Sequence, residues 1–345
     1  MQWVFAQNVA EALANAEPGA RYVGGGLSIM LLLQRGADVP TRLIDLSKLP
    51  LRHIEKRGSR LYIGSQVRLF ELGQDPLVRA ASPILSQAVQ QIATPAIRNQ
   101  STIGGELLAR PRCPLFLDVS NPRCNKRTAH SGCAALEVPS GALLGASAAC
   151  VARGSSELAV SLGALSADAH LLSKDRPQPR IVPVLDLYCP PGDTPQREFA
   201  LLPGELLTEV SLPWPASEQR LFGYARLADT MFEPLACAAV MLEMKDGLVA
   251  DVRVVLGGVA TTPVRAWATE QALRGQALSK EKIEEAARRV VQNTQTAVCS
   301  GSFGPTPNPE RSVLKTPAPD FDARVCGCIH VVQQALLCAR RDHGT

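Results

Sequence analysis

The segment RYVGGGLSIMLLLQRG places three consecutive glycines, Gly24 to Gly26, between a short strand pattern and a helix pattern that stops at Gly36. A helix pattern precedes this segment in NVAEALANA, and a strand pattern follows it in RLIDLSKLP. The order helix, strand, glycine turn, helix, strand is typical of a small α/β unit. Amides in such a turn can approach a phosphate closely, because no Cβ intervenes and the helix N-terminus adds partial positive charge.

The spacing of this turn is not the G-x-G-x-x-G of a dinucleotide-binding Rossmann unit, so a tight turn without a ligand is the alternative to a pyrophosphate site. Ser28 opens the following helix, where it can cap the helix or donate to a phosphate oxygen. A second glycine pair, Gly104-Gly105, occurs in RNQSTIGGELL beside an apolar, strand-like segment. Two such loops can clasp one extended ligand such as a dinucleotide, or they are bulges and turns, and the residues alone leave both interpretations open.

The sequence as a whole predicts α+β structure in three segments, at residues 1–55, 56–216 and 217–340. HIEKRGSRLYIGSQV predicts a hairpin, residues 68–93 carry two helical patterns, and ELLTEVSLPWP predicts a strand that closes the second segment. The third segment begins with alternating residues, continues into a hairpin with its turn at Asp246-Gly247, and ends in helices. The segment from Cys299 to Asp320 is rich in Pro, Gly and Ser and predicts an irregular loop.

Composition limits the classes of protein that this chain can be. With 345 residues, 46% hydrophobic and 20% charged, the chain is long enough for two or three globular domains. A net charge of +4 is too mild for a nucleic-acid-binding surface, so we expect no nucleic-acid partner. No window approaches 18 apolar residues and no basic leader opens the chain, which predicts no membrane span and a cytoplasmic protein, or one exported as the passenger of a signal-bearing partner.

Four of the ten cysteines, Cys113, Cys124, Cys133 and Cys150, fall in one polar, turn-rich region. Their spacing, C-x10-C-x8-C-x16-C, lacks the close C-x2-4-C pair of a zinc site, and a reducing compartment disfavours disulfides. A 4Fe-4S cluster tolerates long, irregular spacing when its ligands lie on one excursion of the chain. The residues alone leave open whether these thiols hold such a cluster or are unrelated buried cysteines.

The remaining reactive side chains form no catalytic motif. The sequence has no evident Ser-His-Asp set and no paired carboxylates, so we expect no catalytic residue in this chain. Cys326, Cys328 and Cys338 lie in an apolar segment and are expected in the core on a terminal helix. His130, within the cysteine region, is expected at the surface.

Together these motifs resemble the FAD-binding middle subunit of the molybdenum hydroxylases, the xanthine dehydrogenase and aldehyde oxidoreductase family. PGARYVGGGLSIMLLLQRG is similar to the family's first flavin loop, A-G-G-T-D/N-L, and IRNQSTIGGELL to its second, I-R-N-x-A-T-I-G-G-N-L. SSELAVSLGALSADAHL resembles the segment whose acid contacts the adenosine side of FAD, and GYARLADTMFEPLACAAVML resembles the start of the C-terminal domain, with Arg226 at the usual Lys.

The resemblance implies an α+β fold with a two-part, PCMH-type (vanillyl-alcohol-oxidase-like) FAD-binding domain, whose parts are residues 1–55 and 56–216. A CO dehydrogenase flavoprotein C-terminal α+β domain at residues 217–340 would follow. The implied FAD contacts are Val23, Gly24, Gly25, Gly26, Leu27, Ser28, Thr102, Ile103, Gly104, Gly105, Ser156, Glu157 and Arg226.

One branch of that family inserts a cysteine-bearing excursion after the second flavin loop and holds a 4Fe-4S cluster there. This branch is known from periplasmic-type aldehyde oxidoreductases and 4-hydroxybenzoyl-CoA reductases. RPRCPLFLDVSNPRCNKRTAHSGCAALE and ASAACVA are similar to the aldehyde oxidoreductase version, R-T-R-C-P-Y-F-R-D, P-C-N-K-R, G-S-G-C-A-A and C-I-A. The resemblance implies a cluster loop at about residues 112–150, with Cys113, Cys124, Cys133 and Cys150 as the ligands.

By resemblance, the chain is the electron-transfer flavoprotein subunit of a heterotrimeric oxidoreductase. Its partners would be a large subunit with the molybdenum cofactor and a small 2Fe-2S subunit, and FAD here would pass electrons to an external acceptor. Leu27 replaces the usual Thr, Glu106 replaces Asn and Glu157 replaces Asp. These departures motivate an alternative, a structural subunit that has lost FAD. A stand-alone vanillyl-alcohol-type oxidase is a third possibility, although residues 217–340 offer no evident active-site set.

Overall fold

The protein is described here by a computed structural model. The structure describes residues 1–137, 141–215, 219–228, 234–290 and 319–341, with side chains of the last segment from residue 325. In this part of the chain the strands form three sheets, of three, five and four strands. None of the helices that the structure describes is long and apolar enough to cross a membrane. Residues 299–318 of the predicted irregular loop lie outside the described residues, whereas Pro319 and Asp320 begin a helix.

The first sheet is parallel, with strand order β1-β3-β2. Parallel neighbours need crossover connections, and two helices supply them. Asn8 caps the first helix, because its Oδ1 accepts from the Glu11 amide at 2.9 Å. The predicted small α/β unit is therefore present, with an additional first strand that the sequence pattern does not predict. Its elements are β1 (Gln2–Phe5), α1 (Val9–Ala14), β2 (Ala20–Val23), α2 (Leu27–Gln34) and β3 (Arg42–Asp45).

The second sheet is antiparallel, with strand order β4-β5-β8-β6-β7. Alternate residues of its strands, such as Leu61 and Val210, face a core shared with the helices between β5 and β6. Its strands are β4 (Ile54–Arg57), β5 (Arg60–Gly64), β6 (Asp168–Ser173), β7 (Arg176–Pro183) and β8 (Leu206–Pro213). Its helices are α3 (Leu69–Gln74), α4 (Pro76–Ala81), α5 (Pro83–Gln91), α6 (Pro95–Gln100), α7 (Ile103–Leu107), α8 (Pro114–Leu117) and α9 (Glu157–Ala164).

The third sheet is antiparallel, with strand order β12-β11-β10-β9. One of its faces joins the core of the second sheet, and the other packs on the C-terminal helices. A Cβ at Gly223 would overlap the Ala335 carbonyl oxygen, so this glycine lets the last helix lie directly on β9. The elements are β9 (Arg220–Leu227), β10 (Ala236–Lys245), β11 (Leu248–Gly257), β12 (Val264–Arg265), α10 (Trp267–Leu273), α11 (Lys280–Arg288) and α12 (Pro319–Arg341).

Four local expectations were wrong or incomplete. Residues 68–93 form three helices instead of two, because Pro83 starts a new one after Ser82. The second glycine pair, expected as a loop beside a strand-like segment, lies inside the short helix α7, which Thr102 caps. Strand β7 was missed because it contains prolines, which an edge strand tolerates. Of the thiols on α12, Cys328 is buried as expected, but Cys326 is exposed.

The three sheets follow one another along the chain, at Gln2–Asp45, Ile54–Pro213 and Arg220–Arg265. The domain boundary expected after residue 55 falls inside strand β4 (Ile54–Arg57), which pairs with β5 in the second sheet. The boundary expected at residue 216 lies outside the described residues. Both boundaries stay predictions.

Candidate functional site

The two glycine loops, far apart in the sequence, touch in the structure. The Gly25 amide donates to Thr102 Oγ1 at 3.3 Å, and Gln100 Nε2 donates to the Gly25 carbonyl oxygen at 2.9 Å. A Cβ on Gly25 would overlap the Gln100 carbonyl oxygen, and one on Gly24 would lie 2.5 Å from Thr102 Oγ1. Glycine is therefore required here by the close approach of two backbones.

Each loop also begins a helix. Gly26 precedes α2 with a φ of +80°, a left-handed conformation that favours glycine. Leu27 and Ser28 form the first turn of α2, where backbone amides have no intrahelical acceptor. Thr102 caps α7, since its Oγ1 also accepts from the Gly105 amide at 3.2 Å. The amides at the start of α2 thus lie where the second loop meets the first, an arrangement suited to an anion such as a pyrophosphate.

Backbone hydrogen bonds to the segment that follows strand β5 hold the second loop in place. The Gly104 amide donates to the Ser65 carbonyl oxygen at 2.8 Å, and the Ile103 amide donates to the Val67 carbonyl oxygen at 2.9 Å. Ile103 is fully buried in the core of the second sheet, and Val23, which ends β2, is buried as well. Each flavin loop is therefore anchored by a buried residue, and the second is also hydrogen-bonded to the segment that follows β5.

The predicted contacts Ser156, Glu157 and Arg226 meet at the start of α9. Ser156 Oγ accepts from the Ala159 amide at 3.2 Å and caps this helix. Glu157 is buried and accepts from Arg226 Nε at 2.7 Å and from the Tyr224 hydroxyl at 3.0 Å. Burial raises the pKa of Glu157, and the Arg226 guanidinium opposes that rise. In the structure Glu157 and Arg226 form an ion pair with each other. Their contact with FAD stays a prediction.

Glu106, the residue that stands where Asn is expected, lies on α7 directly after the glycine pair. The residue is partly buried, and this burial raises its pKa to about 7, with Arg112 opposing the rise and Glu157 adding to it. At neutral pH the carboxyl is therefore partly protonated. The negative charge that this substitution brings to the flavin loops is correspondingly reduced.

All four cysteines of the excursion line one cavity. A backbone antiparallel β-bridge joins Cys124 and Cys133. A hydrogen bond between the Cys133 and Cys150 thiols lowers the pKa of Cys133 and raises that of Cys150. The Ala152 amide donates to Cys150 Sγ at 3.4 Å. Burial raises the pKa of the Cys113 thiol. No disulfide joins the cysteines that the structure describes, and in that same part of the chain no three His, Cys, Asp or Glu side chains meet at the spacing of a metal-ion site.

A set of buried ion pairs, which the sequence does not predict, connects this excursion to the segments that follow helices α7 and α2. Lys126 Nζ lies 3.0 Å from Glu198 Oε1, and Arg110 Nε lies 2.7 Å from Glu198 Oε2. Arg110 also reaches Asp38 Oδ2, at 3.4 Å. The position of Lys126 close to Cys124 could have indicated a role for it. Nothing in the sequence predicts that Glu198 and Asp38 join this set of ion pairs, because they come from distant segments.

A second cavity adjoins the one lined by the four cysteines. Ser156 and Tyr188, near the second flavin loop, lie on its wall, and the Tyr188 hydroxyl donates to the Leu107 carbonyl oxygen at 2.8 Å. Lys126 and Cys150 line both cavities. The cysteine cavity and the surroundings of the flavin loops therefore share a wall. His130 is exposed, as expected.

Residues 1–215 match the family described as the FAD binding domain in molybdopterin dehydrogenase. The chain belongs to this flavoprotein family. Residues 233–302 of this molybdopterin-dehydrogenase flavoprotein match the CO dehydrogenase flavoprotein C-terminal domain. The fold class expected from the sequence, a two-part FAD-binding domain followed by an α+β C-terminal domain, is therefore confirmed, as is the oxidoreductase class.

Several characterised relatives of this flavoprotein are known. The aldehyde oxidoreductase FAD-binding subunit PaoB of Escherichia coli K12 is 39% identical over 270 residues, which are 76% of this chain and 83% of that protein. The 6-hydroxypseudooxynicotine dehydrogenase complex subunit alpha of Paenarthrobacter nicotinovorans is 27% identical over 295 residues, 84% of this chain and 83% of that protein. A chain of the carbon monoxide dehydrogenase from Hydrogenophaga pseudoflava superimposes with a TM-score of 0.71 at 22% identity, covering 99% of this chain and 97% of that one. This last likeness shows the fold alone.

Proposed function

We propose that this flavoprotein is the FAD- and 4Fe-4S-containing electron-transfer subunit of a molybdenum hydroxylase of the aldehyde oxidoreductase or xanthine dehydrogenase type. In the proposed complex it receives electrons from a small 2Fe-2S subunit and passes them to an external acceptor. A large subunit with the molybdenum cofactor carries the substrate chemistry. The observation that carries this proposal is the single cavity lined by Cys113, Cys124, Cys133 and Cys150, which adjoins the cavity that contains Ser156.

The flavin loops fit the phosphates of FAD. When bound, FAD supplies the electron-transfer chemistry, and the protein supplies position and electrostatics. The glycines at Gly24 and Gly25 leave the backbone bare where a Cβ would collide with the second loop, and α2 presents its first amides at the same place. The residues that we assign to FAD are Val23, Gly24, Gly25, Gly26, Leu27, Ser28, Thr102, Ile103, Gly104, Gly105, Ser156, Glu157 and Arg226.

The cysteine cavity fits an iron-sulfur cluster better than a single metal ion. The four thiolates of a 4Fe-4S cluster bind four different irons, so they surround a cube and need not meet at one point. This agrees with four thiols that share a cavity although, among the described residues, no three meet at the spacing of a metal-ion site.

The proposed partners follow from the relatives. PaoB is named as the FAD-binding subunit of an aldehyde oxidoreductase, which supports an aldehyde as the substrate class of the proposed complex. The substrate would bind to the molybdenum subunit, so this chain needs no catalytic residue of its own. We expect no nucleic-acid partner, because a net charge of +4 is too small for a nucleic-acid-binding surface. We place the complex in the cytoplasm, or in the periplasm if a signal-bearing partner carries this chain there.

Leu27 and Glu106 favour one alternative, a structural subunit of the same complex that has lost FAD. Leu27 offers no hydroxyl to the phosphates, and Glu106 brings a carboxyl next to them. The deciding experiment is an absorption spectrum of the complex purified with its partners, followed by flavin and iron quantitation. Bound flavin with about four irons beyond those of the 2Fe-2S subunit supports our proposal. A folded complex without flavin would establish the structural role instead.

A further inference from the structure

Lys126 lines the cavity of the four cysteines, and its side chain forms a buried ion pair. Among the described residues of the cysteine excursion, no other basic side chain on this cavity is buried in an ion pair. Its Nζ lies 3.0 Å from Glu198 Oε1 and donates to the Pro195 carbonyl oxygen at 3.0 Å. The side chains of Lys126 and Glu198 are each only 7% exposed. A charge at this depth is poorly screened by water, so it acts strongly on whatever fills the cavity.

The ammonium group of Lys126 has two partners in the described part of the chain. Lysine carries three N–H donors, and within the described part of the chain two of them have partners, Glu198 and Pro195. Lys126 also lines the second cavity, together with Cys150. The charge of Lys126 therefore lies on the wall of both cavities that Cys150 lines.

The position of Lys126 is fixed by the flavin domain and not by the excursion alone. Glu198 is held by Arg110 Nε at 2.7 Å, and Arg110 also contacts Asp38, which follows helix α2 of the first flavin loop. Arg21 pairs with the same Asp38 carboxylate at 3.0 Å. Because Glu198 is shared between Lys126 and Arg110, it neutralises the ammonium only in part.

We propose that Lys126 sets the reduction potential of the 4Fe-4S cluster, and that Glu198 sets how much of the lysine charge the cluster experiences. This inference rests on the proposed function. Reduction adds an electron to a group that is already negative, so a buried cation beside the cluster favours the reduced form. Net charge and hydrogen bonds near the sulfurs are the quantities by which a protein tunes such a potential. Lys126 is thus a positioning residue for electron transfer, with Glu198 acting through it.

Arg123 offers a matched control on the same excursion, because it lines the same cavity but lies at the surface. It carries the same charge as Lys126, but its side chain is 52% exposed and paired with Glu137 at 2.6 Å. Water and salt screen an exposed charge, so its removal is expected to leave the potential nearly unchanged. Lys126→Arg is a second control, because it keeps the positive charge.

The test is an EPR-monitored redox titration of the purified complex with Lys126→Gln, Lys126→Arg, Glu198→Gln or Arg123→Gln. The complex with Cys124→Ser supplies the baseline of the 2Fe-2S signals. Lys126→Gln is expected to lower the equilibrium constant for cluster reduction about tenfold, which is about 59 mV for a one-electron couple. Glu198→Gln is expected to shift the potential the opposite way, and the two controls are expected to stay near the parent value. A role in packing alone would not produce opposite shifts.

Lys126→Gln with full iron content and an unchanged potential would overturn the inference. If this variant loses iron, Glu198→Gln decides: a potential that is unchanged or lower overturns it, and a higher one supports it. A parent complex without the additional iron is a different result. It would refute the proposed cluster, and the role of Lys126 with it.

Discussion

Arg226 Nε lies 2.7 Å from Glu157 Oε2, and this buried pair joins helix α9 of the FAD-binding domain to strand β9 of the C-terminal sheet. The Tyr224 hydroxyl, two residues away on the same strand, donates to the same carboxylate oxygen at 3.0 Å. A buried pair of this kind contributes little net stability when it is intact, since both charges lose their water. Removal of only one of the two partners is strongly destabilising, because the other charge is left buried without a partner.

Arg226→Met is therefore expected to destabilise the chain by about 3–5 kcal/mol, because Glu157 stays buried. The double variant Glu157→Gln with Arg226→Met is expected to cost clearly less than the sum of the single changes. Urea denaturation of the four proteins in this cycle measures the coupling. Arg274→Met, at an exposed pair with Asp251, is the control and is expected to cost less than about 1 kcal/mol. Additive effects of Glu157 and Arg226 would show that the pair does not act as a unit.

The contact between the flavin loops gives a second prediction, at Thr102. Its Oγ1 accepts from the amides of both Gly25 and Gly105, so Thr102→Val removes both hydrogen bonds while nearly keeping the volume of the side chain. We expect the purified complex with this change to contain markedly less FAD per chain, as measured by flavin release and absorbance. Thr102→Ser keeps the hydroxyl and is expected to retain the flavin. Equal flavin content in the two variants would contradict a role for this hydroxyl in shaping the FAD site.

Local sequence patterns predicted the parts of this site that local chemistry determines. The glycine turns at Gly24–Gly26 and Gly104–Gly105 and the four clustered cysteines could be found in this way, because each depends on residue type within a short segment. The order helix, strand, glycine turn, helix, strand likewise predicted the first α/β unit.

Partners from distant segments could not be predicted. Glu198 lies between strands β7 and β8, far along the chain from Lys126 and Arg110. No spacing in the sequence predicts that these three residues form ion pairs. Glu157 was expected at the adenosine side of FAD, and the structure shows Arg226 and Tyr224 holding it. Such contacts depend on how helices and sheets pack together, which periodicity does not specify.

Glu106 gives a third prediction, a pH dependence of stability. Burial raises its folded-state pKa from 4.5 to about 7, so between these values the folded chain binds a proton that the unfolded chain has released. Stability is therefore expected to fall as the pH rises from about 4.5 through about 7, by at most about 3 kcal/mol from this group. Glu106→Gln removes this contribution, so the variant should match the parent near pH 4.5 and exceed it near pH 8.

Melting temperatures of parent and Glu106→Gln across this pH range test the expectation. Glu137→Gln removes an exposed carboxylate of the excursion and is the matched control, expected to leave the pH profile parallel to that of the parent. A Glu106→Gln profile that also runs parallel to the parent would mean that the Glu106 carboxyl titrates as it does in the unfolded chain.

The cysteines give the last prediction. Cys124 lines the cavity that we assign to the 4Fe-4S cluster, whereas Cys189 lines only the neighbouring one. Cys124→Ser is expected to remove about four irons from the purified complex while the irons of the 2Fe-2S subunit stay. FAD is expected to stay as well, because the contact between Gly25 and Thr102 does not involve the excursion. Cys189→Ser is expected to keep all the iron, so an equal loss from both variants would show that the cluster does not depend on the four assigned thiols.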